Sequence, residues 1–182
     1  MTQTVIGKEE LFAKFQALSE EAQGMSLVLV VQAGATVIVN AAKNNIKDQG
    51  LIRTRNLSRS IHSEVGASSA TSASVYVGTN VEYAAIHEFG GTVTAKQSKY
   101  LAIPVGTYTG SPRDHEDLKP RRSANGWVMV DASGAVQYVL KASVTVPAQP
   151  YLRPALDEHQ NEAVNAMASA FRQAINKAAG TE

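Results

Sequence analysis

The sequence predicts an α+β fold, in which an antiparallel sheet is packed by two N-terminal helices and a long C-terminal helix and carries a β-hairpin and loop insertion. Three observations point there. Apolar residues recur at spacings of three and four near both ends of the chain, and the middle is made of short alternating runs broken by Gly, Pro and Ser. No internal repeat or linker separates these textures. The 182 residues, 44% hydrophobic and 18% charged, fit one globular domain spanning 1–182, with the insertion at about 92–146.

Glu9 to Gln23 reads as a helix with Leu11, Phe12, Phe15 and Leu18 on one side, ended by Gly24. The next stretch, through Ile46, mixes β-branched residues with Ala33, Gly34, Ala35, Ala41 and Ala42. Its length and small residues favour a close-packed helix whose apolar face is Leu27, Val30, Val31, Gly34, Ile38, Ala41 and Ala42. Leu57 to Val65 and Ala73 to Val77 then read as a hairpin. A short helix follows from Glu82 to Phe89, closed by Gly90 and Gly91, which tolerate the positive φ of a helix end.

Leu101 to Val105, with Pro104, suits an edge strand, and Trp127 to Val130 with Val136 to Val146 suits a second hairpin turning at Ala132, Ser133 and Gly134. Between them, Gly106 to Gly126 is polar and has little to bury, so it is expected to be mobile until a partner orders it. From Arg153 to Ala178 a single stripe of Leu152, Leu156, Ala163, Met167, Phe171, Ile175 and Ala178 marks the closing helix.

Composition excludes several classes of function. Without cysteine there are no disulfides, thiolate metal sites or cysteine nucleophiles. The polar start, with Lys8, Glu9 and Glu10, argues against a secretory signal and for synthesis in the cytoplasm. Met25 to Ala42 approaches the length of a bilayer span, but Gln32, Thr36 and Asn40 interrupt it, and a buried core element is the expectation; no membrane partner is predicted. A net charge of +1 gives the whole chain no attraction for polyanions. The basic run Lys43, Lys47, Arg53, Arg55 and Arg59 leaves open a small DNA-binding module over 43–59, although it lacks interleaved aromatics and a recognition helix.

Two clusters invite a catalytic reading. His87 beside Glu88 pairs the usual acid–base residues, yet HEFGG lacks the second histidine that a zinc helix of the HExxH kind needs. Asp114, His115, Glu116 and Asp117 are adjacent residues without calcium-loop spacing, which favours a solvated loop. A metal-dependent hydrolase is therefore the weakest alternative. No phosphate-binding glycine loop, nucleophile elbow or zinc spacing is present, and no catalytic residue, metal or cofactor is assigned.

Two segments carry a resemblance. VEYAAIHEFGG, residues 81–91, and VPAQPYLRPAL, residues 146–156, stand in this order before the C-terminal helix and resemble the phage tail-completion family, also called the virion-morphogenesis or neck family. Leu57 to Ile61 resembles the family's segment after its long helix, and YLAIP, SPRDHEDL and YVLKASVTVP resemble an insertion found in some members. The likeness runs from about Gly50 onward. One departure is Gln149, where the family usually has arginine; Arg153 remains.

Physical chemistry gives these segments a meaning of their own. Pro147 and Pro150 stiffen a ramp from the last strand into the helix, and Pro154 fits the helix's first turn. Tyr83, Ile86 and Phe89 are expected to pack against the sheet or the ramp, with His87 and Glu88 near its exit. The assembly residues are then Tyr83, His87, Phe89, Gly90, Gly91, Pro147, Pro150, Tyr151 and Arg153, and Arg113, Arg121 and Arg122 are candidates for intersubunit contacts.

The resemblance implies a structural, non-enzymatic virion protein of the head–tail junction, made in the host cytoplasm. It would form a closed homo-oligomeric ring, six-fold by preference, between the head connector and the tail-tube or terminator proteins. Non-specific contact with DNA in the channel would follow from that position.

Overall fold

The computed structural model describes Ala13, Gln16 and residues 20–51, 54–96 and 98–178. These fall into two compact units, one from residues 1–88 with 149–182 and the other from 89–148. Helices and antiparallel strands are both present, so the α+β class stands; the strands, expected in one sheet, are divided among three.

In the first unit, helix α1 spans Glu20–Asp48. Most of the helix expected over Glu9–Gln23, with Leu11, Phe12, Phe15 and Leu18, lies outside the described residues, but Gly24 does not end it: the helix runs straight through. A mid-helix glycine costs only about 1 kcal/mol, too little to stop a helix held by packing. The stop comes at Gly50, whose φ is 69°; Leu51 N–H bonds the Ile46 carbonyl and Gly50 N–H that of Lys47, the paired closure of a left-handed helix end.

Ala35, Ile38, Val39, Ala42 and Ile46 are buried along α1 at helical spacing. Tertiary burial thus overrides the strand preference of Ile and Val. By length and hydropathy Leu27–Asp48 could cross a membrane, yet its apolar face lines the core of this unit.

Beyond α1, the expected strand over Leu57–Val65 begins instead as helix α2, Asn56–Ser60. Leu57 and Ile61 are one turn apart and both are buried, a spacing that so short a run cannot separate from alternation. Strands β1, His62–Ser68, and β2, Ala73–Gly78, pair antiparallel, and the Ser69 hydroxyl accepts from the amides of Thr71 and Ser72 in the turn. Helix α3, Ala84–Phe89, and helix α4, Leu152–Ala178, complete the unit.

Helices α1 and α4 run antiparallel, since Asn45 meets Tyr151 while Gly34 meets Met167. A Cβ on Gly34 would fall 2.1 Å from the Met167 methyl, so the glycine admits that side chain. Along α4 the stripe read from sequence holds at Ala163 and Ile175, which are buried, but at its start Ala155 is buried and Leu156 is 55% exposed.

The second unit begins with β3, Gly91–Thr94, paired antiparallel with β8, Ser143–Val146. A four-stranded antiparallel sheet follows in the order β4, Leu101–Pro104; β7, Val136–Lys141; β6, Gly126–Val130; β5, Lys119–Ser123. β4 is an edge strand, as its proline suggested. The long strand expected from Val136 to Val146 breaks at Ala142, so that its two halves serve different sheets.

Gly106 to Gly126 is a second correction. It carries β5 and a 3-10 turn, Pro112–Asp114, closed by a reciprocal capping box between Ser111 and Asp114. Leu118 is buried, the His115 ring stacks 4.6 Å from Tyr108, and the Gln137 side-chain carbonyl accepts from the amides of Thr107 and Tyr108. Local hydrogen bonds, invisible to a hydropathy reading, hold the segment.

Packing predicts a contrast between two large-to-small changes. Ile46→Ala, at a fully buried site, is expected to lower unfolding free energy by about 2–5 kcal/mol, whereas Leu156→Ala should cost about 0.5 kcal/mol or less. Urea denaturation of the purified chain measures both.

Candidate functional site

In the first unit the sequence segments around His87 and Tyr151 meet at the start of α4. The first four amide positions of a helix lack intrahelical acceptors. Here the Glu88 carboxylate supplies them: Oε2 accepts from the amides of Tyr151 at 2.8 Å and Leu152 at 2.9 Å, and Oε1 from that of Arg153 at 3.0 Å. The fourth position is Pro154, which has no N–H to satisfy. Every orphan donor is thus accounted for by one side chain, and its negative charge lies at the positive end of the helix dipole.

Glu88 is only 8% exposed. A carboxylate so buried is tolerable because three charge-assisted bonds replace its hydration. Neighbouring bonds lock the approach to the helix. Gln149 N–H donates to the His87 carbonyl at 2.7 Å, Gln49 Nε2 to the Pro150 carbonyl at 2.7 Å and Asn45 Nδ2 to the Tyr151 carbonyl at 3.0 Å. The Tyr151 side chain lies in the core with Ile46, Leu57 and Ala155. Burial, and secondarily the Glu88 charge, push its phenol above the ordinary value.

His87 serves a different contact. Its ring meets Tyr83 edge-on with centroids 6.0 Å apart, and Nδ1 is buried without a hydrogen-bond partner among the described residues. Glu88 is committed to three amides, so the pair expected from sequence as a possible acid–base couple is divided between two tasks. Among the described residues no group of three or more His, Asp or Glu is placed to hold a metal ion.

Phe89 departs from expectation: it is 71% exposed, and Tyr83 is also exposed, so neither is packed away as predicted. Gly90 and Gly91 have φ of 68° and 145°. In the second unit a Cβ on Gly90 would lie 2.7 Å from the Ala148 amide nitrogen and 3.1 Å from the Val146 carbonyl oxygen, a clash with backbone that cannot yield. Pro147 is exposed and Pro150 half-buried, both outside regular structure.

Arg113, Arg121 and Arg122 all lie on the surface of the second unit, Arg113 in the 3-10 turn and the other two on β5. Asp114, His115 and Asp117 are tied to Ser111, Thr109 and Tyr108 within their own loop. The basic run is dispersed: Lys43 and Lys47 are on α1 and Arg59 on α2, Arg55 precedes α2 with a left-handed φ of 62°, and Arg53 lies outside the described residues.

Sequence reasoning placed Glu88 beside the exit of its helix but missed its role. The available signal was Pro154 with no Ser, Thr, Asp or Asn before it: a helix start lacking a local cap needs an acceptor from elsewhere.

Residues 35–172 match the profile of the phage virion morphogenesis family. The chain belongs to that family. The match takes in α1 from its middle, both units, the Glu88 cap and most of α4. Neither the curated proteins nor the solved structures contain a significant match. Family membership makes this a virion-morphogenesis protein, and the residues that resembled the family in sequence are those around the capped helix start.

Two measurements follow from the cap. Glu88→Ala leaves three amides, that of Tyr151 buried, without acceptors and should cost about 3–5 kcal/mol, against about 1–3 kcal/mol for Glu88→Gln, which keeps one acceptor oxygen. Equal urea midpoints for the two variants would refute the assignment. Because the Tyr151 phenol titrates higher in the folded state than in the unfolded state, its contribution is complete below pH about 10 and is lost as pH rises through the folded value. Tyr151→Phe should therefore lose less stability than the parent chain between neutral pH and pH 11.

Proposed function

We propose that the chain is a structural subunit of the phage head–tail junction, a tail-completion or neck protein that assembles into a closed ring and joins the tail to the head connector. It acts by recognition and assembly and not as an enzyme. Six-fold symmetry is the preferred stoichiometry, with connector and tail-tube or terminator proteins as neighbours and DNA passing through the channel. The virion is its site of action.

The observation that supports this reading most is the commitment of Glu88. The most conspicuous buried carboxylate serves three backbone amides, so its role is to fix shape at the start of α4. Next to Glu88 in sequence, Phe89 is exposed at the last residue of α3, and Tyr83 is exposed in the turn that precedes α3. Exposed aromatics on a rigid base suit protein recognition, where anchors that lose little entropy contribute most. A cyclic ring needs two different faces per subunit, and rotation that closes the set.

Imaging of particles from a phage lacking this chain tests the proposal: separate full heads and finished tails are expected, and normal virions would overturn it. At residue level, Phe89→Ala should leave the urea midpoint within about 0.5 kcal/mol of the parent, since the ring is solvent-exposed, while combined with Pro150→Ala it blocks head–tail joining. A fully infectious double variant counts against these residues as assembly contacts.

A further inference from the structure

Strand β5 reads Lys119-Pro120-Arg121-Arg122-Ser123, and all five residues are exposed. It is the outer strand of the four-stranded sheet. Proline and cations on an edge strand discourage pairing with another strand, so recognition here falls to side chains. Cross-strand partners share a face, which sets Arg122 beside Trp127, 41% exposed. Lys119 and Arg121 lie on the opposite face, and Arg121 Nη2 is held by the Gly134 carbonyl. Arg122 makes no ion pair among the described residues. An exposed tryptophan next to an unpaired arginine is the composition of an interface anchor.

The same chain carries a surface of complementary character. On α4, Leu156 and Val164 are 55% and 60% exposed. Asp157 and Val164, seven residues apart, differ in azimuth by only about 20°, so apolar and acidic side chains share one exposed face, with Glu158 beside it. Neither Asp157 nor Glu158 is in an ion pair among the described residues; the nearest cation in sequence is Arg153, one turn earlier. The other acid of this region, Glu162, is paired with His159.

We infer that Arg122 and Trp127 of one copy dock on the Leu156–Asp157–Val164 face of α4 in a second copy. Charge complementarity, Arg122 against Asp157, and exposed apolar side chains on both surfaces, Trp127 against Leu156 and Val164, carry the inference. A duplex DNA backbone fits β5 less well, because phosphates make no use of the Trp127 ring beside Arg122. The contact is heterologous, with two unlike faces on each copy, so repetition gives a ring or an open filament. The inference rests on the ring reading above and supplies one of its interfaces.

Sedimentation and native mass spectrometry of the full-length chain test it. The parent chain should self-associate, and Arg122→Glu and Asp157→Arg should each weaken association at least tenfold while leaving the urea midpoint unchanged. A chain carrying both changes should recover to within about threefold of the parent, because the pair is restored with its signs exchanged. Trp127→Ala should weaken association without recovery by either charge change. Assembly that survives each single reversal overturns this contact and leaves the ring reading standing. A parent chain that stays monomeric, or whose Arg122 instead governs salt-sensitive binding to duplex DNA, overturns it as well; the ring reading is then judged by imaging of the virions.

Discussion

One buried carboxylate organises the first unit. A helix of 27 residues begins at Leu152 without a side chain of its own to cap it, and Glu88, 63 residues before Tyr151, provides the acceptors. Local caps stabilise a helix wherever it forms; a cap from distant sequence stabilises it only when the chain between has returned to the right place. The bond set therefore couples secondary structure to tertiary closure. Pro154, at the next position, has no N–H and so leaves no further donor to satisfy.

The remaining bonds around the cap act in the same direction. Asn45 on α1 and Gln49 just past its end hold the carbonyls of Tyr151 and Pro150, and the backbone of His87 holds that of Gln149. Each end of the segment preceding α4 is thereby fixed to an element that is itself anchored in the core by Ile46, Leu57 and Ala84. Small residues allow this closeness: Ala42, Ala155 and Ala163 are buried, and Gly34 makes room for Met167. Dispersion and apolar burial bring the helices together, while the directional bonds decide their register.

What the sequence made legible follows from the range of the forces involved. The long helices, the β1–β2 hairpin and the glycine exit after Phe89 were readable because each depends on periodicity or on φ at a single residue. Leu57–Ser60, Leu156 and Gly24 were misread for a different reason: their state is chosen by neighbours far away in sequence, against weak local preferences. Hydropathy gives the polar segment 106–126 little to bury, yet Ser111, Asp114, His115 and Gln137 supply polar contacts that hydropathy does not register. At the capped helix start, Tyr151 and Arg153, both singled out from sequence, donate their amides to Glu88. Glu88 remained hidden because its partners are backbone amides, which every sequence possesses.

That distinction bears on how function can be inferred for this family member. A buried Glu beside a His is ordinarily a reason to search for chemistry, since such groups often have unsatisfied capacity held ready for a substrate. Here Glu88 holds three amides, while the aromatic side chains of Phe89 and Tyr83, of a type usually found inside, are left at the surface. Polar groups spent inside and apolar groups retained outside invert the pattern of a small-molecule site, which needs free polar groups converging in an apolar recess. That inversion supports the proposed assembly role, in which contacts are made from the surface while the interior polar groups hold the shape.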